Sequence, residues 1–390
     1  MMETKRITVL CNDFKTPCRY GTAYFLAKGL SRRNSVCIVS IVNQDFNFRM
    51  SCEHGDSLKF IKVSLPEIPL ISFFAQLTIF FVIATYLRVV EKRRTIIAHN
   101  PIGELPVFSC QKSSQLRQFS ISLDNYRSYQ MWLDRPFTYS NIEKTILGNV
   151  DALIFASTLL RKDISDRYAL SRRVRKIVIP NGVDVELFRP MKKDYARKQL
   201  NIPMNAKIIL YSGAIESNRG IQTLLRAFSY VVREFHNSQV YLIITGKGSA
   251  SKRCKMLASR LGLQDRTLFL DWLPYGEVPL YMNAADVAVL PNSKNEFTRF
   301  CEVPLKLMEY MACAKPVVTT DVGDCGKVVG NERGLVVPPE YPERLAYALK
   351  SLLIDQDTLD TLGWNARKLA LSFSWRHLSL KLERLMSGQT

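Results

Sequence analysis

Histidine is scarce in this sequence, and its cysteines are not arranged in pairs. The four histidines are scattered along 390 residues, and no two of them have the spacing of metal ligands. The nine cysteines include no C-x-x-C pair and no regular framework, which argues against a disulfide scaffold or a cysteine metal site. We therefore expect reduced thiols, a cytoplasmic location and no metal centre. Residues 1–10 lead directly into a strand, so we expect no signal peptide.

Acidic residues are scarce relative to basic ones. The chain has 35 Asp and Glu against 54 Lys and Arg, and its formal net charge is +19. This excess favours an anionic partner, which could be membrane lipid, nucleic acid or a phosphorylated substrate, but it also serves solubility. No RNA-binding or DNA-binding motif accompanies the charge, so we expect no nucleic-acid partner. The length and the 47% of apolar residues are typical of a globular protein with two domains.

The most apolar stretch of the chain, Leu70 to Val90, is near the length of a bilayer-spanning helix. Four polar or charged residues interrupt it: Gln76, Thr78, Thr85 and Arg88. A spanning helix at this point would divide the first domain between its third and fourth strands. Three interpretations stay open, namely a helix packed on the sheet, a helix at the membrane interface and a spanning helix.

Strands alternate with helices along most of the chain, which predicts an α/β protein with doubly wound sheets. An apolar strand at Arg6–Leu10 is followed by a loop that contains Gly21 and by a helix at Thr22–Leu30. The same order of strand, glycine loop and helix returns at residues 207–221. Ligands of such sheets bind at the C-terminal ends of the strands. His99, which follows the strand Thr95–Ala98, is therefore a candidate site residue, although a hydrogen-bonded loop histidine fits the pattern equally well.

The stretch from Glu302 to Val318 is predicted to be a helix followed by a short strand, and Pro304 suits the first helical turn because it lacks an N–H group. Leu305, Met308 and Ala312 recur at helical spacing and are expected to face a core, with Lys306 and Glu309 on a neighbouring face. A helix N-terminus and a lysine can bind phosphate, and a carboxylate can bind a vicinal diol. These residues therefore indicate a site for a nucleotide. The alternative is a solvated pair of Lys306 and Glu309 on a helix surface.

Residues 304–318 read Pro-x-Lys-Leu-x-Glu-Tyr-Met-Ala-x-x-Lys-Pro-Val-Val. This run resembles the donor-binding signature of glycosyltransferase family 4, the group 1 glycosyltransferases. The resemblance implies the GT-B fold, in which two Rossmann-like doubly wound domains face each other across a cleft. It places an acceptor-binding domain at residues 1–188 and a nucleotide-sugar domain at 189–372, with a hinge near 189–195. The closing helix, 373–390, is expected to cross back onto the first domain.

The resemblance also implies an activity. The family transfers a hexose from a nucleotide diphosphate sugar, GDP-linked or UDP-linked, to an acceptor hydroxyl, with retention of the anomeric configuration. It needs no metal in the chemical step and no cofactor, which agrees with the absence of an Asp-x-Asp motif on a predicted strand–loop junction. The acceptor is expected to be a glycan or a lipid-linked glycan precursor. A degenerate member that binds a nucleotide or a membrane without transferring sugar is the rival hypothesis.

The family's site residues carry over to specific positions of this chain. Arg219 and Lys306 would contact the diphosphate, and Glu309 would bind the ribose. Glu302 would reach the sugar, although six residues separate it from Glu309 where the family has seven, and Cys301 stands at the expected place. The remaining donor contacts would come from glycine loops, one loop backbone and a helix start: Gly21, Gly213, Gly246, Leu273, Pro304 and Leu305.

Two positions depart from the family pattern. Ala214 stands where the family usually has a first basic residue for the diphosphate, so Arg219 and Lys306 would have to carry more of the charge. Leu123 and Asp124 stand where many members have a histidine that approaches the donor sugar, and Asp124 is the nearest polar substitute. These departures are what motivates the rival hypothesis of a non-catalytic member.

The sequence further predicts that the protein works at the inner face of a membrane as a peripheral protein. The apolar stretch Leu70 to Val90 carries several aromatic side chains, including Phe73 and Phe74. Basic residues near an anionic leaflet contribute attraction of about 1 kcal/mol each. The alternative is that this stretch is buried against the sheet and that the charge only aids solubility.

Overall fold

The computed structural model describes the chain in blocks that become nearly continuous from residue 150 onwards. The described residues are 6–12, 22–43, 49–54, 58–65, 95–99, 118–123, 147, 150–168, 170–235, 239–295 and 303–386. The stretch Leu70 to Val90 lies outside the described residues, so its three interpretations remain predictions. Within the described ranges, no helix combines the length and the hydrophobicity needed to cross a membrane.

The described part of the chain alternates strands and helices. Its strands are β1 (Arg6–Asn12), β2 (Ser35–Asn43), β3 (Arg49–His54), β4 (Leu58–Leu65), β5 (Thr95–His99), β6 (Gln118–Leu123), β7 (Ala152–Phe155), β8 (Arg175–Val178), β9 (Lys207–Ser212), β10 (Val240–Thr245), β11 (Thr267–Leu270), β12 (Val287–Leu290), β13 (Val317–Thr320) and β14 (Gly334–Val337). Its helices are α1 (Thr22–Leu30), α2 (Thr158–Tyr168), α3 (Lys193–Gln199), α4 (Ile221–Glu234), α5 (Ser251–Arg260), α6 (Val278–Ala284), α7 (Leu305–Ala312), α8 (Cys325–Val329), α9 (Pro342–Ile354), α10 (Gln356–Ser372) and α11 (Trp375–Met386).

The strands form two separate sheets. The first has the order β3-β4-β2-β1-β5-β6-β7-β8 and the second the order β11-β10-β9-β12-β13-β14. All neighbours pair in parallel except β3 and β4, which are antiparallel. In each sheet the first strand of the unit lies in the interior, and the chain then winds to one side before it continues on the other. This is the doubly wound topology that the sequence predicted, with switch points between β1 and β5 and between β9 and β12.

Strand β3 was missed by the sequence analysis, in which no strand was predicted over Arg49–His54. Its sequence, RMSCEH, is mostly polar and has little of the β-branched character that marks a buried strand. It pairs only with β4, at the edge of the first sheet, so one of its edges takes part in no strand pairing among the described residues. An edge position tolerates polar residues that a central strand would exclude.

The chain divides into two compact units. The first comprises Met1–Pro180 and Trp375–Thr390, and the second comprises Asn181–Ser374. The sequence placed the first boundary after residue 188, eight residues later than the structure has it. The difference arises because Val183 and Phe188 are buried in the core of the second unit, and because the Asn181 amide donates to the Val303 carbonyl there, at 3.1 Å.

Helix α11 packs against α1 within the first unit. The rings of Phe25 and Trp375 stack with their centres 5.2 Å apart, and Asn34 donates a hydrogen bond to Glu383 at 2.9 Å. The closing helix therefore lies with the first unit although nearly 200 residues of the second unit precede it. Its start, Trp375, is two residues later than the predicted start of the final segment.

The second unit has apolar packing on both faces of its sheet. Strand β9 shows the pattern directly, because Ile209 and Tyr211 pack on one face and Ile208 and Leu210 pack on the other. All four side chains are buried. A strand buried on both faces is typical of a parallel sheet covered by two layers of helices, and such a sheet holds its strand ends rigidly.

Candidate functional site

The candidate site lies at the C-terminal edge of the second sheet, next to the switch point between β9 and β12. The loop after β9 begins at Gly213 (φ +139°) and the loop after β10 begins at Gly246 (φ +123°). The two loops touch, since a Cβ atom added to Gly246 would lie 2.2 Å from the Gly213 carbonyl oxygen. Only glycine allows this backbone conformation and this close approach. The structure thus brings together two of the glycines that the sequence predicted for the donor site.

Helix α7 brings Lys306 to the same loop. Pro304 was predicted in the first helical turn, but it precedes the helix with an extended backbone, and Leu305 begins the helix. The Lys306 ammonium group donates a hydrogen bond to the Tyr211 hydroxyl (2.9 Å) and lies 4.2 Å from the centre of the Tyr211 ring. A Cβ atom on Gly213 would lie 2.7 Å from the Lys306 Nζ atom. The positive charge of Lys306 is therefore held against the glycine loop.

The Tyr211 hydroxyl links Lys306 to the loop that follows β9. It accepts a hydrogen bond from Lys306 and donates one to the Ala214 carbonyl oxygen, at 2.7 Å. Burial raises the pKa of Tyr211, and the charge of Arg219 opposes this only in part, so the hydroxyl stays neutral. Tyr211 was not predicted as a site residue. Its sequence context indicates only a buried strand residue.

Glu309 lies one helical turn after Lys306 and is buried, with 9% of its surface exposed. The Tyr275 hydroxyl donates a hydrogen bond to Glu309 Oε1 at 3.1 Å. Burial raises the pKa of Glu309 to about 7, while the Tyr275 hydrogen bond and the charge of Lys306 act in the opposite direction. Glu309 is therefore not half of a solvated surface pair. Near neutral pH it is partly ionised.

The prediction that only one face of α7 is buried was wrong. The sequence assigned one face to the core and placed Glu309 and Cys313 away from it, but every residue from Leu307 to Cys313 is buried. The reason is that α7 packs between the sheet and helix α10, so two of its faces meet protein. A buried carboxylate and a half-buried ammonium on such a helix are retained at a cost, which is typical of functional groups.

Arg219 lies at the end of a short 3-10 turn that precedes α4. Its Nε atom is buried and has no hydrogen-bond partner among the described residues. Asn292, two residues after β12, has both amide atoms, Nδ2 and Oδ1, buried without a partner in the same described part of the chain. We call these three the open polar atoms. Asn292 was not predicted as a site residue, although its place at a strand end could have pointed to it.

The loops after β10 and β11 complete this edge of the sheet. Lys247 and Asp271 form an exposed ion pair of 3.0 Å between them. Leu273, predicted as part of the base-binding loop, is half-buried, and Trp272 beside it is exposed. The loop also leads to Tyr275, so it carries the residue that orients Glu309. Tyr275 was not predicted, because only the folded chain brings it to α7.

Four other predicted site residues are not placed with this group. Gly21, Asp124 and Glu302 lie outside the described residues. His99 is the last residue of β5, where its backbone pairs with Cys11 and Ser122, and the structure describes its backbone alone. Their roles remain predictions. Within the described ranges, no group of three His, Cys, Asp or Glu side chains could hold a metal ion.

Comparison with known proteins finds a family match over part of the chain. Residues 192–369 match the family model of the glycosyl transferases group 1. A D-inositol 3-phosphate glycosyltransferase of Corynebacterium jeikeium is 30% identical over 253 residues, which cover 62% of this chain and 58% of that protein. Its counterpart in Saccharomonospora viridis is 31% identical over 244 residues, with 60% and 54% covered. The matched segment spans less than two thirds of the length of these curated relatives.

Solved structures share the whole fold. Sucrose-phosphate synthase from Thermosynechococcus elongatus superposes with a TM-score of 0.79 at 24% identity, covering 98% of both chains. HepE of Anabaena, solved in complex with UDP and glucose, superposes with a TM-score of 0.72 at 17% identity, covering 98% of this chain and 100% of that chain. These likenesses confirm the prediction of a GT-B fold built from two Rossmann-like domains.

Proposed function

We propose that the protein transfers a sugar from a nucleoside diphosphate donor to an acceptor hydroxyl, because its residues 192–369 match the model of the group 1 glycosyl transferases. The observation that carries the proposal is the pairing of two charged groups on α7. The Lys306 ammonium lies against the Gly213 loop, and the buried Glu309 carboxylate lies one turn away with Tyr275 as its partner. A phosphate group and a vicinal diol are the ligands that this pair suits.

The diphosphate would lie between the Gly213 loop and the start of α7. Free N–H groups at a helix start and at glycine loops donate to phosphate oxygens. Lys306 and Arg219 would add positive charge, and they compensate for the missing cation at Ala214. When the bond from the sugar to the diphosphate breaks, negative charge grows on the leaving group, and fixed donors at that point lower the barrier. We propose that the reaction retains the anomeric configuration and needs no metal, as the resemblance of the signature implies.

Glu309 would hold the ribose by accepting hydrogen bonds from its two hydroxyl groups. The ionised carboxylate accepts both hydrogen bonds more strongly than the protonated acid, which has lost acceptor capacity and charge. Because burial raises its pKa to about 7, donor affinity should increase as the pH rises through 7. The Tyr275 hydroxyl already donates to Oε1, so the orientation of the carboxylate is fixed before the donor binds.

Two classes of acceptor fit the proposal, namely a phosphorylated, water-soluble molecule and a lipid-linked glycan precursor. The relatives are named for inositol 3-phosphate and sucrose phosphate, which are phosphorylated and water-soluble. The lipid-linked glycan precursor that the sequence analysis predicted remains a proposal, as does a peripheral position at a membrane. The net charge of +19 suits a phosphorylated acceptor and an anionic leaflet alike. Flotation with anionic vesicles at low and high salt separates them, because only a protein held at a leaflet would float and be released by salt.

A thermal-shift screen tests the proposed donor site. The purified protein is heated with UDP, GDP, ADP and the corresponding nucleotide sugars, and a bound ligand raises the unfolding midpoint. We expect one nucleotide series to raise it, and the same sugar nucleotide to be consumed in an assay with a panel of phosphorylated and lipid-linked acceptors. A protein whose midpoint no nucleotide changes would refute the proposal. Binding without consumption of the donor would favour a non-catalytic member, which Ala214 motivates.

A further inference from the structure

The side chain of Asn292 is buried, and its polar atoms make no hydrogen bond within the part of the chain that the structure describes. It is 1% exposed, and both its amide atoms belong to the open polar atoms defined above. A buried amide that makes no hydrogen bond costs free energy, because it has lost its bonds to water and gained none. An exception of this kind in a native protein calls for a ligand or an ordered water.

The position of Asn292 is the switch point of the second sheet. It follows β12 directly after Pro291, and Thr320 at the end of β13 donates to the Asn292 carbonyl oxygen at 2.7 Å. On the other side, Ser293 donates from its backbone N–H to the Asn218 carbonyl oxygen at 3.2 Å. Asn292 is thus held between the end of β13 and the turn that carries Arg219. Ligands of open α/β sheets bind at this point of the topology.

Arg219 supplies the third open polar atom, on the turn that adjoins Asn292. A Cβ atom on Gly220 would lie 1.7 Å from the Pro291 carbonyl oxygen, so the backbone of the turn is in close contact with the residue that precedes Asn292. Arg219 Nε can only donate a hydrogen bond, whereas the Asn292 amide both donates and accepts. A phosphate oxygen satisfies Nε, but it would leave Asn292 Oδ1 without a partner. A hydroxyl group, which donates and accepts, satisfies the amide.

From this chemistry we infer that Asn292 binds a hydroxyl group of the donor sugar while Arg219 binds the adjoining phosphate. The inference rests on the proposed function, and it names Asn292 as a residue that contacts the sugar. Its distinctive consequence is a difference between two ligands. The amide should contribute to binding of a nucleotide sugar and should contribute little to binding of the nucleoside diphosphate alone.

Asn283 offers a matched control within the same unit. It is also 1% exposed, but its amide is fully used. Its Oδ1 accepts from the Met191 N–H at 2.8 Å, and its Nδ2 donates to the carbonyl oxygens of Arg189 and Pro279 at 3.0 and 2.8 Å. Asn283 lies beside the N-terminal end of β12, away from the candidate site. The same substitution at the two positions should therefore have opposite effects.

The experiment compares Asn292→Leu and Asn283→Leu with the natural protein, using UDP with UDP-glucose and GDP with GDP-mannose as probes. We expect Asn292→Leu to weaken binding of the nucleotide sugar about tenfold, the effect of one or two lost hydrogen bonds, and to change binding of the nucleoside diphosphate less than twofold. Its unfolding midpoint should be equal or higher, because an unsatisfied amide has been removed. Asn283→Leu should lower the midpoint by roughly 5 °C or more, or fail to fold.

Each outcome decides the inference. If Asn292→Leu binds both ligands with the affinity of the natural protein, the inference is overturned, and the amide is left with a buried water only. A parallel loss for both ligands would also overturn it, since that indicates a general disturbance. Asn292→Ala is the second variant in case leucine does not fit, and failure of both variants to fold would show that the amide serves the fold. If the natural protein binds none of the four probes and no nucleotide of the thermal-shift screen raises its unfolding midpoint, the proposed function itself fails.

Discussion

The buried polar groups at the two ends of the second sheet differ in whether they have hydrogen-bond partners within the described part of the chain. At the N-terminal ends of the strands, both carboxylate oxygens of Asp286 accept hydrogen bonds from the protein, and we call this the saturated end of the sheet. Its carboxylate accepts from Lys193 and Arg197, each at 2.8 Å, and from the Ile208 N–H at 2.7 Å. Nearby, the Lys315 ammonium donates to two carbonyl oxygens at 3.1 and 3.0 Å. Every one of these charges has an assigned protein partner, which is how a buried polar network serves stability.

At the C-terminal ends of the same strands, the open polar atoms have no protein partner in the part of the chain that the structure describes. Glu309 is buried there with a raised pKa, and its described hydrogen bond comes from Tyr275. Both ends are held by the same two-layered core. We infer that this unit is stabilised at one end of its sheet and leaves hydrogen-bonding groups available for a ligand at the other.

The largest effect on stability is expected from a substitution that removes a hydrogen-bonding partner at the saturated end. Asp286→Ala would leave Arg197, which is 2% exposed, without its carboxylate partner. Removing one partner of a buried ion pair destabilises a protein by about 3–5 kcal/mol. We expect a loss of this size in urea denaturation monitored by circular dichroism.

The folded fraction of the Asp286→Ala protein should still bind the nucleotide with the natural affinity, because Asp286 lies at the opposite end of the sheet. A variant that unfolds at the natural urea concentration would mean that this network adds nothing to stability. A variant of natural stability with weakened nucleotide binding would reverse the roles that we assign to the two ends.

A smaller effect is expected from Glu309→Gln, and it has the opposite sign. The pKa of Glu309 in the folded protein, about 7, lies above its ordinary value of 4.5. The folded state therefore retains a proton that the unfolded state releases above pH 4.5, and stability falls as the pH rises from 4.5 to 7. Glutamine has no such proton. Between pH 5 and pH 8 the variant should gain about 2–3 kcal/mol relative to the natural protein.

Urea denaturation at pH 5 and pH 8 measures this gain, and donor binding at pH 8 provides the second readout. We expect Glu309→Gln to be the more stable protein at pH 8 and the weaker binder of nucleoside diphosphates. A gap in stability that does not change with pH would show that Glu309 titrates normally. Natural affinity in the variant would remove Glu309 from the ribose site.

The smallest effect concerns the Tyr211 hydroxyl. If it acts by holding Lys306 against the Gly213 loop, Tyr211→Phe should weaken binding of the nucleoside diphosphate by about 3- to 10-fold, roughly 1 kcal/mol. In a Lys306→Gln background the same substitution should have no further effect, which a double-mutant cycle reveals as a coupling energy. Titration calorimetry on the four proteins gives the cycle.

Tyr310→Phe is the control for this cycle. The Tyr310 hydroxyl lies close by, but it bonds to the backbone of Ser212, accepting from N–H at 2.7 Å and donating to the carbonyl at 3.3 Å. Its removal should lower stability and show no coupling to Lys306. Equal losses for Tyr211→Phe in both backgrounds would mean that the hydroxyl does not act through the lysine.

The sequence predicted the alternation of strands and helices and the GT-B fold, and it predicted that Gly213, Lys306 and Glu309 belong to one site. These predictions rest on periodicity and on a signature, which are local. It missed Tyr211, Tyr275 and Asn292, whose importance depends on contacts between distant segments. Asn292 differs from Asn283 only in what surrounds it. The burial of Glu309 was missed because a single helix does not reveal that a second helix covers its outer face.

Hydrogen–deuterium exchange with and without the bound nucleoside diphosphate tests the contrast between the two ends most directly. We expect slower exchange of the amides in residues 213–220 and 303–309, where the loops and the start of α7 would hold the diphosphate and the ribose. Residues 204–208 and 283–286, at the saturated end, should exchange at the same rate in both states. Protection confined to the saturated end, or a bound nucleotide that protects neither end, would contradict it.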